Sequence, residues 1–220
     1  MIDINNDKNI EPLAKFIKEY ELALRLDQSN IEAACLSSIS QNYTPDARFV
    51  NIKYINSNEF IFFSNYSSKK GRDIDFINKV ALTFFWHKTN VQIRIQGSIS
   101  KLIDERSDYH WVKRDNSKNA LSISSQQSCE AESYESIIKK HKNVLENTNI
   151  MKRPKYWGGY VIEPVYYEFW QGNEYRINKR IAYRKEKQNW NNYFLLIKNI
   201  FTIIHDFANY RICIFMRYLN

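Results

Sequence analysis

Residues 168–180 read EFWQGNEYRINKR. Alternation with a period of two runs into this stretch from Tyr160, and Gly172 supplies a turn, so it predicts a β-hairpin. Trp170 offers a flat apolar surface. Arg176 and Arg180 are four apart, so on an extended strand they project from one face. A flat wall beside two fixed cations suits a planar, phosphorylated ligand. The same residues equally fit a surface hairpin with solvated arginines.

Working outward, β-forming segments dominate the middle of the chain. Residues 47–55, 59–65, 80–87 and 91–103 are rich in Val, Ile and Phe and read as strands, with Asn56-Ser57-Asn58 as a turn. Residues 11–26 place Leu13, Phe16, Ile17, Tyr20 and Leu24 at helical spacing behind Pro12. Ser29 and Glu32 have capping-box spacing ahead of a second expected helix, 31–39. Ser67 and Ser68 cap a short helix over 69–78. Residues 104–114 and 130–147 read as helices, separated by a polar segment reaching Ser128. This pattern predicts a β-rich α+β fold, a barrel decorated with helices. Its expected divisions are an N-terminal helical segment (1–46), a barrel domain (47–190) and an apolar tail (191–220).

A chain of 220 residues with 44% hydrophobic and 15% aromatic content can build one substantial core. The net charge of +8 favours anionic partners: phosphorylated metabolites, nucleic acid or an anionic membrane. Dispersed charge argues against a nucleic-acid tail, though a basic sheet with exposed aromatics also suits single strands. Cys35, Cys129 and Cys213 form no CxxC or zinc spacing, and the N-terminus is polar and acidic, so a cytoplasmic location is expected. The tail is apolar but interrupted by Lys198, Asn199, His205 and Asp206. It predicts a helix packed on the body or at a subunit contact, with an interfacial membrane helix as the alternative.

No Walker loop, GxGxxG, HExxH or GxSxG motif is present, and His87, His110, His141 and His205 lack metal-ligand spacing. An enzyme of this composition would rely on an organic cofactor. Lys69-Lys70-Gly71-Arg72 at a helix N-terminus makes an anion site. Arg48 and Lys53, five apart, would face opposite sides of one strand unless a bulge intervenes. Gln92, Arg94 and Gln96 alternate onto one face, and Gln127-Ser128 offers amide and hydroxyl groups.

Taken in order, ARFVNIK (47–53), FFSNYSSKKGRDI (62–74), FFWHKTNVQIRIQG (84–97), SSQQS (124–128), RPKYWGGY (153–160) and EFWQGNEYRINKR (168–180) resemble the pyridoxine/pyridoxamine 5′-phosphate oxidase family. The likeness runs from about residue 15 to Trp190. It implies a homodimeric split β-barrel with FMN at the subunit interface. Carried over, Arg48, Lys69, Lys70, Gln127 and Ser128 would hold the FMN phosphate and its surroundings. Phe63, Ser64, Gln92, Trp170 and Arg180 would contact the rest of FMN. Lys53 and Arg114 would bind the substrate phosphate, and Arg176 would lie over the substrate ring as the catalytic residue. The implied reaction oxidises pyridoxamine or pyridoxine 5′-phosphate to pyridoxal 5′-phosphate, with O2 as acceptor and H2O2 released. Two departures stand out. An ungapped count puts the family's substrate-phosphate Tyr and Ser on His110 and Lys118, with Tyr109 and Ser117 one residue away. The family's R-x-H reads Arg176-Ile177-Asn178, so Asn178 replaces a titratable group. A split-barrel flavoprotein with a drifted substrate, and a non-enzymatic pyridoxal-phosphate-binding module, are the alternatives.

Overall fold

The computed structural model describes residues 1–5 and 10–196. Expectations for the tail beyond Leu196, and for His205 and Cys213, fall outside the described residues.

The elements run β1 (Asp3–Asn5), α1 (Glu11–Arg25), β2 (Ala33–Ile39), β3 (Pro45–Asn51), β4 (Tyr54–Asn56), β5 (Glu59–Asn65), α2 (Lys69–Phe76), β6 (Lys79–Trp86), β7 (Val91–Lys101), α3 (Asp104–Lys113), α4 (Asn116–Ser124), α5 (Tyr134–Asn147), β8 (Trp157–Gln171), β9 (Lys179–Glu186) and β10 (Asn189–Phe194). The strands form one mixed sheet ordered β1-β4-β5-β8-β7-β6-β2-β3, with β9 on β8 and β10 on β9. Its centre is β8, whose first half pairs with β5 and whose second half pairs with β9, while β7 lies along its other edge. The ladder between β7 and β8 shifts register at Gln96/Gly97. A Cβ on Gly97 would stand 2.3 Å from the Glu163 carbonyl oxygen, so only glycine permits this approach. Pro164, which cannot donate to a ladder, sits opposite the bulge. The bulge bends the long strands and curls the sheet into a half-barrel.

Helix α1 fills the curl. Leu13, Phe16, Tyr20 and Ala23 are buried at helical spacing. The Phe16 ring meets Phe60, Phe84 and Trp86 at 5.2, 5.3 and 5.5 Å, each near edge-on. The core continues through Leu36, Ile93, Ile95, Ile162 and Tyr167. Among the described residues no helix is long and apolar enough to cross a membrane.

Four local expectations are corrected. Residues 33–39 form strand β2, not a helix, with Ala34, Leu36 and Ser38 buried in alternation. Pairing with β3 on one side and β6 on the other overrides the weak helix preference of these small residues. The 1–46 segment is therefore only partly helical. Residues 47–55 are two strands, because the Ile52 N–H turns to the Glu32 carbonyl and the Lys53 N–H to Ile61. Lys53 thus lies beyond β3, which removes the single-strand argument about Arg48 and Lys53. The polar segment before Ser128 contains α4, capped by Asp115 accepting from the Ser117 and Lys118 amides. The proposed boundary at residue 190 also falls inside β10, whose Trp190 packs on Tyr167.

Candidate active site

Helix α2 builds the first part of the site. Ser68 caps it, accepting from the Gly71 amide, and so places Lys69 and Lys70 in the first turn. Lys70 is almost fully buried. Its ammonium donates to Ser64 Oγ (2.8 Å), Ser68 Oγ (3.0 Å) and Gln127 Oε1 (3.2 Å). All three acceptors are neutral, and among the described residues no carboxylate pairs with it. Burial first, and Arg48 second, push its pKa down to about 8. Arg48 itself is well anchored, donating to Ser38 Oγ (2.7 Å) and Asp46 (2.6 Å) and pairing with the buried Asp73 at 3.4 Å. Lys69 bonds Asp46, whose carboxyl is held below its usual range first by that bond. Ser128, at φ 72°, follows Gln127 in a turn closed by the Cys129 amide on the Gln126 carbonyl.

A cavity of about 240 Å³ opens beside this cradle, lined by Phe63, Ser64, Arg114, Ser122, Gln127 and Trp157. Its wall is a parallel aromatic stack. Phe63 lies 3.7 Å from His110 at 7° and 5.5 Å from Trp157 at 15°. Arg114 covers Trp157 at 5.1 Å and donates to Asn119 Oδ1 (3.1 Å) and Ser122 Oγ (3.0 Å). His110 Nδ1 is 3.0 Å from the Tyr54 hydroxyl. Burial, then Arg114 and Lys53, lower the His110 pKa to about 4. Lys53 pairs with Glu32 at 3.5 Å. The neighbours of the two ambiguous positions face elsewhere: Tyr109 is exposed against Lys113, and Ser117 Oγ lies 3.5 Å from His141 on α5. Lys118 is exposed on the first turn of α4, one turn before Ser122.

A second cluster lies on the outward face of the sheet. Gln92, Trp170 and Arg180 form one cross-strand row, so their side chains share a face. In the next row the buried Glu168 binds both neighbouring arginines. Its Oε1 accepts from Arg180 Nε (2.9 Å) and Nη2 (2.7 Å), and its Oε2 from Arg94 (3.0 Å) and the Tyr166 hydroxyl (3.2 Å). This cluster occupies the far end of β8 from Trp157, so within one chain the two groups of site residues are separate.

Arg176 departs from expectation. It lies in the β8–β9 connection, not on a strand, at φ 59°, with its amide donating to the Asn173 carbonyl. The shared strand face expected for Arg176 and Arg180 therefore does not exist. Asn178 Oδ1 accepts from the Asn173 amide at 3.0 Å and closes the loop. The Arg176 side chain is exposed and joins no other described residue by a hydrogen bond or ion pair.

Several contributors went unread in the sequence. Tyr54 and Trp157 build the aromatic wall, Asp46 and Asp73 anchor the cations, and Glu168 fixes Arg180. Glu168, Trp157 and Asp73 do lie in the motifs EFWQG, RPKYWGGY and FFSNYSSKKGRDI, but Tyr54 and Asp46 carry no local signal.

Residues 22–148 match the family described as pyridoxamine 5′-phosphate oxidase, and residues 157–196 match its pyridoxine 5′-phosphate oxidase C-terminal dimerisation region. The pyridoxine/pyridoxamine 5′-phosphate oxidase of Haemophilus influenzae is 34% identical over 186 residues, covering 84% of this chain and 89% of that protein. The pyridoxine-5′-phosphate oxidase of Bos taurus is 32% identical over 180 residues, covering 80% and 69%. Among solved structures, PhzG of Burkholderia lata superposes with a TM-score of 0.81 at 24% identity, over 86% of this chain and 94% of that one. A pyridoxamine 5′-phosphate oxidase-related, FMN-binding protein of Nostoc punctiforme gives 0.70 at 13%, over 86% and 98%. These two structures establish the fold as a split barrel with flanking helices. The sequence matches extend over most of the described residues and carry the assignment further: the chain belongs to the pyridoxamine 5′-phosphate oxidase family.

Proposed function

We propose that this protein is an FMN-dependent oxidase that converts pyridoxamine 5′-phosphate and pyridoxine 5′-phosphate to pyridoxal 5′-phosphate. In this reading O2 is the acceptor, H2O2 is released, and the working form is a homodimer. The observation that carries the proposal is Lys70. A buried ammonium surrounded only by neutral acceptors is electrostatically incomplete, and a phosphate dianion beside it and Arg48 would complete it. That fits the phosphate end of FMN, and Gln127 and Ser128 extend the same cradle.

When bound, FMN supplies a hydride acceptor that O2 can reoxidise. The chain's own residues would bind and orient. Lys53, Arg114 and Lys118 would form a cationic end for the substrate phosphate, with the His110 ring beside them, next to the Phe63–Trp157 wall. Binding energy from that remote phosphate fixes the reacting carbon, C4′, in place. The substrate gives up a hydride from C4′ and a proton from its amine or alcohol. The alcohol yields the aldehyde directly, whereas the amine yields an imine that water converts to aldehyde and ammonia. Arg176 would sit over the ring, with Asn178 holding its loop. Gln92, Trp170 and Arg180 would reach the cofactor from the partner subunit, because they lie at the far end of β8 from the cradle.

A second reading, a flavoprotein of this family acting on a different substrate, is favoured by His110 and Asn178 at the substrate positions. Purified protein should take up FMN and show a flavin spectrum. It should then form peroxide and pyridoxal 5′-phosphate from pyridoxamine 5′-phosphate under air. Failure to bind flavin on reconstitution would overturn the proposal. Flavin binding without turnover would favour the second reading.

A further inference from the structure

We infer that His110 is a proton-coupled phosphate ligand: the imidazole joins Lys53 and Arg114 in binding the substrate phosphate and takes up a proton as the dianion enters. This rests on the proposed substrate class and adds a mode of recognition to it.

Geometry selects the residue. Of the adjacent pair on α3, Tyr109 is exposed and its hydroxyl is engaged by Lys113. His110 turns inward, stacked on Phe63 at 3.7 Å and edge-on to Tyr54 at 5.5 Å. One ring nitrogen is committed, with Nδ1 at 3.0 Å from the Tyr54 hydroxyl. The other, Nε2, makes no hydrogen bond to a described residue. It is also not sealed off, because the Tyr160 hydroxyl is the one fully buried side-chain polar atom left without a partner among the described residues. The imidazole is thus fixed in its plane by stacking, tied at one nitrogen and open at the other.

The charges that act directly on the ring have one sign. Arg114, at the end of α3, and Lys53, before β4, both disfavour a charged ring, and burial does so more strongly. Arg114 is satisfied by the neutral Asn119 and Ser122, and Lys53 by Glu32. Lys113 and Arg106 on α3, with Asp3 and Tyr109, act on Tyr54. Among the described residues no carboxylate contacts the imidazole. The ligand-free ring is therefore neutral near pH 7. A phosphate dianion between Lys53 and Arg114 reverses the local field and favours the imidazolium. Tyr54 allows the change without a clash. Its hydroxyl can donate to Nδ1 of a neutral ring protonated at Nε2, and it can rotate to accept from Nδ1–H of the charged one, leaving Nε2–H for a phosphate oxygen. A tyrosine at this position could donate one hydrogen bond but could not deliver a charge.

The test uses the FMN-loaded protein and 4-deoxypyridoxine 5′-phosphate, a ligand that keeps the ring and phosphate but has no oxidisable C4′ group. Calorimetric titration at several pH values, in buffers of different ionisation enthalpy, reads the protons taken up on binding. Compared with His110→Tyr, the native protein should take up an extra fraction of a proton, up to one, at pH 6–7. Its affinity should weaken more steeply on going from pH 6 to pH 8, by up to about tenfold per unit. The His110 ring resonance of the native protein should also move to its imidazolium position when ligand is added at pH 7, a readout that needs no variant. Binding with the same proton balance in both proteins and an unmoved resonance would overturn the inference and leave the proposed function standing. Absence of binding in the native protein would overturn both.

Discussion

Lys70 decides the character of the cofactor cradle because its charge is buried ahead of its counterion. Its folded pKa, about 8, lies below the ordinary 10.5, so the native state holds the proton less firmly than the unfolded chain does. The penalty is fully present at pH 7 and is relieved as pH rises from about 8 to 10.5. By linkage it is of order 3 kcal/mol. Lys70→Met should therefore leave the melting temperature of the FMN-free protein unchanged or raise it. The same change should weaken FMN binding at least about tenfold, as loss of a charge-assisted hydrogen bond does. Thermal denaturation without FMN and a flavin fluorescence titration check the two halves. A large drop in melting temperature with unchanged FMN affinity would show that Lys70 serves the fold instead. The roles of Lys69 and Lys70 were legible in the sequence only as a pair. What separates them is that Lys69 reaches Asp46 and Lys70 does not, and that depends on β3 and α2 meeting in space.

At the scale of elements, local signals and cross-strand signals behaved differently. The Ser68 cap, the Asn56–Asn58 turn and the limits of β5 follow from neighbouring residues, and each was read correctly. Strand β2 reads weakly in the sequence because its buried face, Ala34, Leu36 and Ser38, holds a single large apolar side chain and marks no face until β3 and β6 bury it. The β8–β9 connection was misread at Arg176 because a left-handed residue other than glycine leaves no mark in the sequence. Asn178 supports that conformation by accepting the Asn173 amide, a role that needs an oxygen and not a titratable ring. Asn178→Ala should thus slow turnover while FMN affinity is retained, and Asn178→Asp, which can accept the same N–H, should recover most of the rate. Arg176→Ala should slow turnover at least about tenfold, also with FMN retained. Equal rates for Asn178→Ala and the native protein would remove Asn178 from the mechanism. The entry to α2 is equally constrained, since a Cβ on Gly71 would stand 1.8 Å from the Tyr66 carbonyl oxygen. Gly71→Ala should cost about 1–3 kcal/mol in urea unfolding as the helix shifts to make room.

At the scale of the whole molecule, the curled sheet keeps the Lys70 cradle and the Trp170–Arg180 row apart: Ser64 of the cradle pairs with the first half of β8, and the row lies on its second half. The outward face that carries the second row also exposes Phe49 and Phe85, at 76% and 56% of their surfaces, in a register that runs from β3 through β2 and β6 to β7 and β8. An aromatic, arginine-bearing sheet face of this kind suits a symmetric contact, and the shared-site homodimer proposed above requires that its twofold axis bring each chain's second row to the other's cradle. The proposal can be tested by complementation. Lys70→Met disables the cradle and Arg180→Ala disables the row, so each homodimer should bind FMN poorly. If sites are shared, a mixed dimer pairs the intact Lys70 of one chain with the intact Arg180 of the other and regains one native site. Random assembly makes half the dimers mixed, so about a quarter of all sites should recover native FMN affinity when the two chains are refolded together. If each site were built within one chain, every site in the mixture would still carry one defect. Flavin titration of the co-refolded sample would then match the average of the two parents, and the shared-site arrangement would be excluded.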